Sequence, residues 1–207
     1  MVAVYKALIT QEGYKPQNIV LLGDSAGGGM IAAVAIQLKR QGVALPAALG
    51  MFSPWTDMRN RGDSAKTLIA VDPFVVCQGD NPMAELQGVY LGNDASLLDN
   101  PLASPVEADY VALFPGGSLP PTLIQVGMRE LMLSDSVRLY HKMKVASPMR
   151  GHVVLSPYEG MWHVFQAFAD LPEAEVASRE MADHFTQALE GGTHESPTSR
   201  EAPSRLL

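Results

Sequence analysis

Apolar positions along the chain follow two different periods. Over residues 2–12 they recur every three or four positions, with Val4, Tyr5 and Leu8 on one stripe and Gly13 as a stop, which predicts an amphipathic helix. Ile19-Val20-Leu21-Leu22 is instead a continuous apolar run bounded by Asn18 and Gly23, and it predicts a strand buried on both faces, as in a parallel sheet. Residues 26–41 are rich in Ala, Ile and Leu, end at Gly42, and predict a helix. Further apolar runs at Ala47–Phe52, Thr122–Val126 and Val153–Leu155 are closed by Ser53-Pro54, Gly127 and Ser156-Pro157. Helical patterns follow the last two, over 133–146 and then over 163–170 and 173–189. Strands alternating with helices predict an α/β layered domain around a parallel sheet.

The regularity breaks between Pro54 and Pro120. This stretch holds Pro73, Pro82, Pro101, Pro105 and Pro115, with one short helical pattern near 83–90. It is too long for a plain connection and reads as an excursion over 55–120 that covers a site. Residues 191–207 are polar with prolines and read as a disordered tail, which leaves 1–190 as one domain.

Composition narrows the partners. The formal net charge of -7 argues against nucleic acid or an anionic membrane surface. No apolar run reaches the ~18 residues of a membrane span. The single cysteine, Cys77, excludes an intrachain disulfide and fits a reducing, cytoplasmic setting. Lys6 and Glu12 lie within the first helical pattern, and no charged start, apolar stretch and small-residue cleavage site precede it.

Chemistry enters at Gly23-Asp24-Ser25-Ala26-Gly27. This G-x-S-x-G directly follows a predicted strand and directly opens a predicted helix. A sharp strand-to-helix turn there would push the Ser25 hydroxyl into the open, with Gly23 and Gly27 removing Cβ atoms that would collide. It would also set the Ala26 N–H at a helix N-terminus, where it can bind a developing oxyanion. The plainer alternative is a serine- and glycine-rich helix cap or phosphate cradle; a phosphate loop of the Walker type is excluded, since no Lys-Ser/Thr pair follows the last glycine.

A hydroxyl nucleophile needs a base, and the base needs an orienting carboxylate. His141 and His184 sit inside helical patterns, His194 lies in the tail, and His152 precedes a strand. His163 follows the fourth predicted strand, at the start of a predicted helix, and is the candidate base. For the acid, the loop after Thr122–Val126 offers Glu130 first and Asp135 second. Asp135 falls in the first turn of the next helix, beside the cap candidate Ser134, where its alternative role is to complement the helix dipole.

At these residues the chain resembles the hormone-sensitive-lipase-like esterases of the α/β-hydrolase superfamily. The resemblance is carried by Gly23-Asp24-Ser25-Ala26-Gly27-Gly28, Ser53-Pro54-Trp55-Thr56-Asp57, Asn100-Pro101-Leu102-Ala103-Ser104-Pro105 and Gly160-Met161-Trp162-His163-Val164-Phe165. Arg129-Glu130-Leu131 stands where many members have Asp-Pro-Leu, and so resembles the branch of acetyl-ester and lactone hydrolases that use Glu. The resemblance implies an α/β-hydrolase fold, hydrolysis of a small-molecule ester through an acyl-enzyme, a Ser25–Glu130–His163 triad with Ala26 as a backbone oxyanion donor, and neither metal nor cofactor. It implies that 55–120 supplies a cap over an acyl pocket. Met30, Phe74, Val75, Met83 and Trp162 are pocket candidates, although residues of these types are more often plain core. It also implies an N-terminal truncation. Members carry strands and a His-Gly-Gly-Gly oxyanion loop before the nucleophile, whereas here the nucleophile is residue 25 and the sequence contains no His-Gly-Gly-Gly. A half sheet would expose an apolar edge and favour pairing with another chain, such as a second copy in a homo-oligomer.

Overall fold

The computed structural model describes residues 1–73 and 82–191. Phe74, Val75, Cys77 and the predicted tail beyond Gly191 lie outside them. Four strands, β1 (Val20–Asp24), β2 (Ala48–Phe52), β3 (Thr122–Gly127) and β4 (Val153–Tyr158), form one parallel sheet in chain order. The register aligns Asp24, Phe52, Gln125 and Ser156 in one row across the sheet. Ser25 and Ser53 sit just past that row, at the carboxyl ends of the strands, where open α/β sheets place their ligands.

Helices cover both faces because the strand residues alternate. Leu49, Met51 and Ile124 pack on one side with Ile31, Ala35 and Ile36 of helix α2 (Ala26–Arg40). Gly50 and Gln125 point to the other side, toward the last long helix of the described residues, Pro172–Leu189. That helix buries Ala174, Ala177 and Met181, spaced three and four apart, so a single stripe meets the sheet. The first helix, α1 (Val2–Thr10), packs Tyr5 against Val34 and Leu38 of α2. A further helix, Leu133–Ala146, buries Leu139 and Met143 in the main core.

Three expectations need correction. The run at 19–22 is not buried on both faces: among the described residues β1 pairs only with β2, and Leu22 is 48 % exposed. Hydropathy marks a strand as apolar but does not say which of its faces is covered within the same chain. No helix spans 163–170. Val164 takes φ +51°, which breaks helical geometry at once, and a single 3₁₀ turn follows at Phe165–Ala167. Finally, the excursion is more ordered than its prolines imply. Besides the helix Pro82–Leu91 it contains short helices at Ser64–Thr67 and Tyr110–Leu113.

The excursion is held to the domain by buried polar groups. Asp57 is fully buried and pairs with Arg61 at 3.0 Å and Arg138 at 2.6 Å. Burial alone would raise its carboxyl, but the two guanidiniums and the backbone amides of Arg59 and Arg61 more than offset this and hold it down at about 2. Ser64 and Ser134 exchange hydrogen bonds, each backbone N–H donating to the other's hydroxyl at 3.0 and 2.9 Å. Ser134 therefore serves the neighbouring helix start and not the cap of its own helix, whose N-cap is Met132.

Candidate active site

The turn from β1 into α2 places Ser25 at φ +50°, ψ −122°, a conformation that a non-glycine residue adopts only under constraint. The constraint is visible on both sides. The Ser25 N–H donates to the Phe52 carbonyl at 2.8 Å, and its carbonyl accepts from the Gly29 and Trp55 N–H groups at 3.2 and 2.9 Å. Glycines make the turn possible by close approach. A Cβ on Gly23 would lie 2.4 Å from the Gly27 oxygen, and one on Gly29 would lie 2.1 Å from the Trp55 oxygen. Gly27 is different from the expectation: nothing lies within 4 Å of a Cβ there. Space at the turn is limited by Gly23, Gly28 and Gly29, because the chain after β2 crosses directly over the start of α2.

The three residues expected from sequence come together. His163 Nε2 lies 2.9 Å from Ser25 Oγ, and His163 Nδ1 lies 2.7 Å from Glu130 Oε2. Ser25 is half-buried, His163 is buried, and Glu130 is fully buried. A buried carboxylate requires donors, and Glu130 Oε1 accepts from the Gly127 N–H and the Ser53 hydroxyl, each at 2.6 Å. The loops bearing Glu130 and His163 are tied directly. Met128 and Arg129 donate to the carbonyls of Tyr158 and Met161, each at 2.9 Å, and a Cβ on Gly127 would collide with the Met161 backbone at 2.4 Å. Ala26 is the first residue of α2, so its N–H has no acceptor within the helix.

Asp135 is elsewhere. It is buried, and its Oδ2 accepts the N–H groups of Thr56 and Asp57. Burial pushes it up to about 7, against the pull of those two amides.

Two residues near the triad candidates were not singled out from sequence. One is Ser53. The other is Asp72, fully buried, whose carboxylate lies with one oxygen of Glu130 and one ring nitrogen of His163 inside a 4.8 Å span. Such a group could ligate a cation, but Glu130 and His163 are already bonded to each other, so an ion there would have to displace that contact. The position after β2 was the available signal for Ser53. Asp72 has no periodicity or spacing that marks it.

Beside Ser25 and His163 opens a cavity of about 360 Å³. Methionines 30, 58, 83 and 132 line it together with Leu86 and Leu102, and no Lys, Arg, Asp or Glu appears among its described lining residues. Met30 and Met83 thus lie where expected. Trp162 does not: it packs outside the cavity, edge-on to Phe168 at 5.5 Å and against the cluster around Phe165.

A parallel sheet with a serine in a G-x-S-x-G turn after β1, a carboxylate after β3 and a histidine after β4 is the arrangement of an α/β-hydrolase. The chain belongs to the α/β-hydrolase fold family, whose model matches residues 1–167. An esterase from Acinetobacter venetianus is 35% identical over 186 residues, covering 88% of this chain and 56% of that protein. An acetyl-hydrolase from Streptomyces hygroscopicus is 35% identical over 193 residues, covering 92% and 58%. The crystal structure of an esterase from the bacterial hormone-sensitive lipase family superposes with a TM-score of 0.79 at 37% identity, over 91% of this chain and 59% of that one. The chain thus spans somewhat over half the length of these relatives. Among the described residues no helix is long and apolar enough to cross a membrane.

Proposed function

We propose that the protein hydrolyses uncharged carboxylic esters of short to medium acyl chain through an acyl-enzyme. Ser25 Oγ attacks the ester carbonyl while His163 Nε2 takes its proton. Glu130 holds the ring through Nδ1 and stabilises the imidazolium. The Ala26 N–H donates to the oxyanion. His163 then protonates the departing alcohol, and the same histidine activates the water that releases the acid. The observation that carries this reading is the unbroken Ser25–His163–Glu130 chain of contacts, 2.9 and 2.7 Å, opening onto an apolar cavity. The names of the relatives, esterase and acetyl-hydrolase, support the same bond class. The uncharged lining favours neutral acyl groups, since an ionised chain would lose its hydration there without gaining a partner. Residues 55–120 act as the cap, because Trp55, Met58, Met83 and Leu102 all reach the cavity from this excursion.

The test is labelling by a fluorophosphonate together with hydrolysis of p-nitrophenyl esters, each compared with Ser25→Ala. Labelling confined to Ser25 and turnover abolished in the variant are the expected results. A folded protein that neither labels nor hydrolyses would overturn the reading.

A further inference from the structure

The Ser53 hydroxyl is fully buried and makes two hydrogen bonds that no packing requirement explains. It donates to Glu130 Oε1 at 2.6 Å and accepts the Val164 N–H at 3.0 Å. Its own backbone N–H donates to Gln125 of β3 at 2.8 Å. One side chain therefore touches the acid and the residue next to the base, from a strand that carries neither. The backbone is strained at both ends of this bridge, with Ser53 at φ +48° and Val164 at φ +51°. Of the five non-glycine residues with positive φ among the described residues, these two and Ser25 surround the same site.

On the triad reading given above, we propose that Ser53 is a positioning residue for the ester-hydrolysing relay. Its hydroxyl does two things. It supplies one of the donors to the buried Glu130 carboxylate, and it fixes which oxygen faces His163: with Oε1 occupied by Ser53 and Gly127, only Oε2 is left for Nδ1. Through the Val164 N–H it also anchors the loop on which His163 rides. Without it, Glu130 loses a hydrogen bond, and the carboxylate gains a rotational freedom that competes with the catalytic orientation.

The experiment compares Ser53→Ala with Ser53→Gly in the full chain. Both remove the hydroxyl, but glycine accepts positive φ without strain whereas alanine does not. If the hydroxyl matters, both variants lose kcat, and the rate of Ser25 labelling, by about 10- to 100-fold. Both keep KM within about twofold. In both, the low-field proton resonance between Nδ1 and Glu130 broadens or moves. If Ser53 is there only for its backbone, alanine, which carries the same Cβ, matches the wild type and glycine matches or exceeds it, which overturns the proposal. Wild-type labelling and resonance retained in both folded variants also overturn it. Absence of Ser25 labelling in the wild type would instead sink the triad reading. In that case the low-field resonance still decides on Ser53, since it is read without turnover.

Discussion

Asp135 Oδ2 accepts the backbone N–H of Thr56 at 2.9 Å, and this bond, with its twin from Asp57, ties the start of the 55–120 excursion to a helix on the far side of the turn bearing Glu130. Burial holds the Asp135 carboxyl up at about 7, well above its ordinary value of 3.8. A group whose pKa is raised on folding contributes most below its unfolded value and loses that contribution as pH rises through the folded one. The melting temperature of the wild type should therefore decline relative to Asp135→Asn as pH goes from about 4 to 7. Asparagine keeps a carbonyl for both amides and cannot ionise. A pH-independent difference between the two melting curves would refute the assignment.

Glu130→Gln should lower kcat by about 10⁴-fold while the protein stays folded, because an amide can donate to Nδ1 and so traps the wrong tautomer of His163. Asp135→Asn should leave kcat within a few-fold. Steady-state rates on p-nitrophenyl acetate separate the two carboxylates; the reverse ranking would move the acid to Asp135.

Opposite outcomes are expected at two neighbouring glycines. Gly29→Ala should cost about 1–3 kcal/mol or more, since its Cβ would press on the Trp55 carbonyl, a backbone atom that cannot swing away. Gly27→Ala meets open space and should be neutral or stabilise the helix by up to about 1 kcal/mol. Urea denaturation midpoints at constant slope measure both.

Acyl-chain preference should respond to the cavity wall. Each methylene buried in the 360 Å³ space adds about 0.8 kcal/mol, so kcat/KM should climb about fourfold per methylene until the space is full. Ala103→Phe fills part of the cavity and should move the maximum to shorter chains, with acetate esters nearly unaffected. An unchanged chain-length profile would place the acyl group elsewhere.

The residues that could be found from sequence are those whose chemistry is tied to a local signal. Ser25 lies between an apolar run and a helical pattern. Glu130 and His163 follow apolar runs, and the spacing of these features is readable without any tertiary knowledge. Ser53 follows an apolar run as well, yet a serine before a proline has a sufficient local explanation as a strand stop, and its partners are 77 and 111 residues away. Gly27 reads from sequence as a steric requirement of the turn, yet that role belongs to Gly28 and Gly29, because the obstructing element, the Pro54-Trp55 backbone, comes from another part of the chain. Val164 ends the helical pattern at 163–170 through a backbone angle fixed by its hydrogen bond to Ser53, which periodicity cannot contain.

The row Asp24–Phe52–Gln125–Ser156 makes the sheet a measuring device. Ser25 and Ser53 lie one step beyond it, and Glu130 and His163 hang from turns that begin within a few residues of it. A slip of one residue in any ladder would carry its side chain about 3.3 Å along the strand, farther than the length of the hydrogen bonds being aligned, and would invert its facing. Turns at the opposite rim, around Gly42 and Gly151, feed strands without touching this alignment. Descendants of this chain are thus free to lengthen one rim, while an insertion inside any strand separates Ser25 from His163 and Glu130.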